Sequence, residues 1–140
     1  MKKVLILFIV FFSTSSFGKV EIDTINNWQL YKDKTLIFKS NVIEKNNQVI
    51  SIKSTENFKI LKFNMFYDFF GDKTLKKMQF IVDNKIIKTF VLKNEARNSF
   101  IITKESINSL IKKYKNKVIQ FKYFDKIYSK GIPVCKIKFI

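Results

Sequence analysis

FIITKESINSLIKKYKNKVIQFKYF, residues 100–124, decides the fold. Thr103 is a good N-cap, Glu105 falls in the first turn where the helix dipole favours a carboxylate, and lysines fill the last turns. Ile107, Leu110, Ile111 and Tyr114 recur at i, i+3, i+4 and i+7, which makes one apolar stripe. The spacing predicts a single amphipathic helix over residues 103–116, ended at Asn116 and Lys117. From Val118 to Phe124 the period changes to two, with Ile119, Phe121 and Tyr123 on one face. A lone helix must lay its stripe against something, and nearly all the rest of the chain reads as β.

Upstream, Asp83–Asn84–Lys85 is a strong hairpin signal between Leu75–Val82 and Ile86–Leu92. Met78, Phe80 and Val82 are in phase on the first arm. On the second, Phe90 and Leu92 line one face and Ile87 and Val91 the other. Phe58–Phe70 is the most apolar stretch beyond the N-terminus, and Leu61, Phe63, Met65, Tyr67 and Phe69 alternate along it as in a central strand. Trp28–Tyr31 and Leu36–Phe38 flank a turn at Lys32–Asp33–Lys34, and Glu44–Asn47 reads as a loop into Gln48–Lys53. Downstream, Gly131 and Pro133 open a last strand with Cys135, Ile137 and Phe139 inward and Lys136 and Lys138 outward. The sequence has no internal repeat and no low-complexity linker.

Short strands spaced by about ten residues predict an all-β, mainly antiparallel domain, a β-sandwich or open barrel of about eight strands with one helix. The alternative is an α+β layer with the helix on one curved sheet. The expected core draws on Phe63, Met65, Phe80, Leu110, Phe121 and Ile137. Residues 28–140 would form this single domain, preceded by a polar arm over residues 19–27.

Residues 1–18, MKKVLILFIVFFSTSSFG, have the charged, apolar and small-residue zones of a bacterial signal peptide cut ahead of Lys19. Nine apolar residues fall short of the roughly 20 that span a bilayer. Removal of residues 1–18 leaves 122 of the 140 residues, enough for one core. The expected compartment is the periplasm or the medium. Cys135 is the only cysteine, so no intramolecular disulfide can form, and its alternating strand predicts a buried thiol.

The net charge is +16, of which Lys2 and Lys3 supply two, leaving +14 on the remainder. Such a surplus suits an anionic partner such as lipopolysaccharide, an acidic glycan or nucleic acid. Arg97 is the one arginine among 27 basic residues, whereas bidentate phosphate recognition favours arginine. The candidate binding surface comprises Lys112, Lys113, Lys115, Lys117, Lys122, Lys136 and Lys138, interleaved with Tyr123 and Phe124. The competing reading makes these lysines the ordinary solvent face of helix and strand.

The sequence has no histidine, which removes Ser–His–Asp and Cys–His catalysis and most zinc, copper and haem sites. Three glycines cannot build a phosphate-binding loop. No cofactor is expected. Carboxylates remain: Asp68 and Asp72 around Gly71, a conceivable Ca²⁺ pair, and Asp83 and Asp125 at other turns, where acids are ordinarily turn residues. The expected function is non-enzymatic binding of another envelope or secreted protein, as an accessory subunit, inhibitor or immunity factor. A binder of anionic envelope polymers and a carboxylate-only hydrolase are the alternatives. Candidate pairing edges are the arm 19–27 and the last strand, Val134–Ile140.

Overall fold

The computed structural model describes residues 27–41, 48–66, 75–92 and 99–140. They form β1 (Asn27–Lys32), β2 (Thr35–Ser40), β3 (Val49–Ile52), β4 (Ile60–Phe66), β5 (Lys76–Val82), β6 (Lys85–Leu92), β7 (Phe100–Thr103), the helix α1 (Lys104–Lys113), β8 (Val118–Phe124) and β9 (Ile132–Phe139). The expected signal peptide, the arm up to Asn26 and the Asp68–Asp72 pair lie outside the described residues.

The strands make two sheets, ordered β2-β1-β4-β7 and β3-β9-β8-β5-β6, and the domain is not a closed barrel. Every pair is antiparallel except β3 with β9. The central position expected for the Phe58–Phe70 stretch is observed: β4 lies between β1 and β7.

Alternation decides which side chains go inside. Leu61 and Phe63 of β4, Met78, Phe80 and Val82 of β5, and Ile119, Phe121 and Tyr123 of β8 are all buried. Rings connect the sheets: Phe63 and Tyr123 lie 6.0 Å apart, and Phe100 meets Tyr123 edge-on at 6.2 Å. Within the second sheet Phe80 stacks on Phe121 at 3.9 Å. Of the expected core, Phe63, Phe80, Phe121 and Ile137 are buried, while Met65 and Leu110 are half-buried against the cluster.

The helix forms where expected but is shorter. Thr103 Oγ1 accepts from Ser106 N at 3.2 Å as the N-cap, and Tyr114, not Asn116, is the C-cap. Asn116 takes a left-handed conformation, φ 65°, and donates its N–H to Phe139 O at 2.7 Å. That turn sends the chain out of the helix early. Ile107 and Ile111 are buried, Leu110 and Tyr114 half-buried, and α1 links β7 of one sheet to β8 of the other.

Two expectations are corrected by pairing register. Ile87 was expected opposite Phe90's face, yet it packs against the core with Phe90 and Leu92. Phe80 pairs with Lys88 and Ile81 with Ile86, so Ile87 is the extra residue of a β-bulge and the alternation changes phase there. The last strand was expected at an edge, yet β9 lies between β3 and β8, and its register with both is continuous over the lysine-bearing half.

A repeat also emerges that the sequence hides. The β1–β2 pairs Trp28–Ser40, Gln29–Lys39, Leu30–Phe38, Tyr31–Leu36 and Lys32–Thr35 recur in β5–β6 as Met78–Phe90, Gln79–Thr89, Phe80–Lys88, Ile81–Ile86 and Val82–Lys85. Each position is displaced by 50 residues (28 to 78), including the bulges at Ile37 and Ile87. Only Gln29/Gln79, Asp33/Asp83 and Ile37/Ile87 are identical across this span, too few to register as a repeat.

Candidate functional site

The seven candidate lysines divide into two groups. Lys112, Lys113, Lys115 and Lys117 are exposed on the end of α1 and the turn after it. Lys117 Nζ donates to Asp83 Oδ2 at 2.6 Å, and that hydrogen bond, aided by the charge of the carboxylate, raises the lysine's pKa. Both partners are more than half exposed, which limits what the pair contributes to stability.

Lys122, Lys136 and Lys138 belong instead to the outer face of the five-stranded sheet. Their strand neighbours Phe121, Tyr123, Ile137 and Phe139 point inward, so alternation turns the lysines outward. Lys77 of β5 joins them there, since its neighbours Lys76 and Met78 are buried. Lys77 Nζ stands 4.2 Å from the ring centroid of Phe124 and Lys122 Nζ 5.3 Å from it. Gly131, at φ 74°, packs against the same ring so closely that a Cβ would stand 2.4 Å from it. Sequence reading missed Lys77 because only the β5–β8 register brings it beside Phe124.

The outer positions of this face, in β3, β9, β8, β5 and β6, carry no acidic residue. Val49, Val118 and Val91 are exposed among the lysines. Among the described residues, this face combines half-buried lysines with exposed valines.

The described aspartates make their contacts elsewhere. Asp33 Oδ1 accepts from the backbone N–H of Lys59 at 2.9 Å and of Ile60 at 3.0 Å, and the bond from Ile60, then that from Lys59, hold its pKa below the ordinary value. A shallow groove lined by Asp33, Lys34, Thr35, Asn57, Lys59 and Ile60 opens beside it, and those bonds already engage Oδ1 of the carboxylate. Asp125 is buried; it accepts from Tyr123 OH at 3.0 Å and from Tyr128 N at 2.7 Å. Burial pushes its pKa up, against backbone hydrogen bonds from Tyr128 and Ile127 that lower it. Asp83 sits in the β5–β6 turn at φ 48°, followed by Asn84 at φ 62°. Asp83 and Asp125 are therefore turn residues, as their sequence context suggests.

Cys135 is buried as expected, and burial raises its thiol pKa, so the thiolate that would react is disfavoured. Lys76 is the one buried lysine among the described residues, and burial lowers its pKa. No group of three or more His, Cys, Asp or Glu converges on a metal-sized site among the described residues. No helix among them is long and apolar enough to cross a membrane. No protein-family model matches the chain, and comparison with curated proteins finds no significant relative.

Proposed function

We propose that this chain is an exported, non-catalytic β-domain that works by binding another envelope or secreted protein, as an accessory subunit, inhibitor or immunity factor. The observation that carries this reading is the composition of the outer face of the five-stranded sheet. It combines Lys77, Lys122, Lys136 and Lys138 with exposed Val49, Val91 and Val118, and strand positions there hold no carboxylate. A mixed cationic and aliphatic face suits a protein partner, which can offer both acidic and apolar groups. Ring contacts between the sheets support a β-sandwich as the scaffold behind it. Residues 1–18 supply export. The test is affinity capture in the native host followed by mass spectrometry. A specific protein recovered in stoichiometric amount supports the reading; an empty capture overturns it.

The excess of lysine favours a second reading, a binder of anionic envelope polymers. Binding of a purified acidic glycan or lipopolysaccharide that collapses with rising salt, with no protein captured, would replace the first reading with this one.

A further inference from the structure

We infer that the outer face of the five-stranded sheet is a docking track for an extended acidic segment of the protein partner, with carboxylates on alternate residues. This rests on the protein-binding reading above. The cations form a regular track. Val118, Gln120, Lys122 and Phe124 are the successive outward residues of β8. Lys138 pairs with Val118, Lys136 with Gln120, and Lys77 with Phe124, while Lys122 is itself the remaining row. Each of the four rows thus carries one lysine, and the track crosses from β9 over β8 to β5.

The spacing selects the ligand's conformation. Rows along a strand repeat at roughly 6.8 Å, two residues of extended chain. Diagonal neighbours on adjacent strands stand about 7–8 Å apart. An extended peptide repeats its side chains on one face at the same interval, so alternate glutamates or aspartates meet successive lysines. A helix, with neighbours at three and four residues, does not keep that phase over four rows.

The chemistry selects carboxylate and protein over phosphate and nucleic acid. All four cations are lysines, point charges without the planar fork that grips phosphate in two places. Phe124, the one aromatic in the track, has two ammonium groups over its ring, so its π face is taken up by cations and not offered to a base. Val118 at one end and Val91 beside Lys77 give the flanks of a peptide apolar surface to cover. A second copy of this chain is a poor occupant, because two strongly cationic faces repel.

The edges of the same sheet point to the face rather than to strand addition. Beyond β5, β6 is an edge among the described residues, but the bulge at Ile87 interrupts its ladder. Lys88 pairs with core residue Phe80 and therefore lies on the inward phase, a charge placed where an added strand would need apolar cover. At the other edge β3 is only four residues long.

The experiment uses fluorescence anisotropy with a labelled peptide of about twelve residues alternating glutamate and threonine, long enough to span the four rows. Controls are its glutamine–threonine counterpart and an oligothymidylate of similar length. Proteins are the wild type, Lys122→Glu/Lys136→Glu, the milder Lys122→Gln/Lys136→Gln, and Lys112→Glu/Lys115→Glu on the helix, each checked for folding by circular dichroism. The expected result is salt-dependent binding of the glutamate peptide alone, weakened at least about tenfold by reversal in the track and little changed by reversal on the helix. The glutamine pair, which leaves no repulsive charge, weakens binding by less and serves if the reversal does not fold. No binding of the glutamate peptide, equal loss in the helix variant, or tighter binding of oligothymidylate overturns the inference. Capture in the native host separates it from the broader reading. A partner retained undiminished by the track variant sinks the track alone, whereas no partner with either protein sinks both.

Discussion

The indole Nε1 of Trp28 in one sheet donates a buried hydrogen bond of 2.6 Å to the carbonyl of Val134 in the other. The register explains why that carbonyl is available. Phe121 pairs with Cys135 and Lys122 with Pro133, so Val134 is the extra residue of a bulge and takes no place in the ladder. The indole supplies the partner that a neighbouring strand cannot. Trp28→Phe keeps a ring but orphans a buried carbonyl, which should destabilise the domain by about 1–3 kcal/mol plus the loss of indole packing. Urea unfolding followed by far-UV circular dichroism measures it; an unshifted midpoint would show that the bond contributes nothing.

Phe63 is the centre of the first sheet's inner face, paired with Leu30 and Phe100 and touching the Tyr123 ring of the second sheet. It is 1% exposed. Phe63→Ala removes a ring at the junction of both sheets and should cost about 3–5 kcal/mol, a large share of a typical total of 5–15. Thermal melting reads the loss, and a variant melting like the wild type would place Phe63 outside the core.

Local pattern carried much of this fold. Met78, Phe80 and Val82 alternate without interruption, and the Asp83–Asn84 turn has residues that tolerate the left-handed conformation, so the β5–β6 hairpin is readable residue by residue. Ile87 was misplaced because a bulge shifts phase without any residue type announcing it. Beyond the hairpin neighbours and the central place of β4, sheet order was not legible. Nothing near Val134–Ile140 says that β3, more than 80 positions earlier, pairs with it in parallel, so a terminal strand looked like an edge. The candidate site suffered for the same reason. Lys122, Lys136 and Lys138 were visible as outward lysines, but their alignment into rows, and the membership of Lys77, depend on pairing between distant strands.

Asp33 and Asp125 should titrate in opposite directions. Asp33 accepts backbone N–H bonds as a carboxylate and should titrate below its ordinary 3.8, whereas burial should lift Asp125 above 3.8. The signs for stability differ accordingly. Asp33 contributes above its unfolded value, and the contribution is lost as pH falls through its lower folded value. Asp125 binds its proton more tightly when folded, so its effect favours the fold at low pH and declines as pH rises through its raised value. Carboxyl ¹³C NMR on the folded protein would resolve both; Asp125 titrating below Asp33 contradicts the account. In Asp125→Asn, the decline in stability with rising pH should flatten.

The proposed export makes a chemical prediction independent of the fold. Lys2 and Lys3, the apolar run Val4–Phe12 and the small residues Ser16 and Gly18 predict a cut before Lys19. Protein recovered from the periplasm or medium should begin at Lys19 or within about two residues of it. N-terminal sequencing decides the matter: an intact Met1 species held in the inner membrane would refute cleavage and export together.

The two hairpins that share one register differ most tellingly at one pair. Opposite the inward Leu30 stands Phe38, 6% exposed, whereas opposite the inward Phe80 stands Lys88, exposed at the edge with its Nζ 5.8 Å from the Phe90 ring centroid. Position 88 is therefore a core position of the pattern occupied by a charge. Charges pointing inward on edge strands deter pairing with other chains, because an added strand would bury them without a partner. Lys88→Phe, which restores the residue of the first hairpin, should leave the melting temperature unchanged or raise it by about 2–5 °C through added apolar burial. It should also promote self-association through the β6 edge. Light scattering at increasing protein concentration checks the second effect. Aggregation of Lys88→Phe but not of Lys39→Phe, on the outward phase of β2, would tie it to the inward charge. If both variants stay monodisperse, the bulge at Ile87 suffices to guard the edge and Lys88 is dispensable for that purpose.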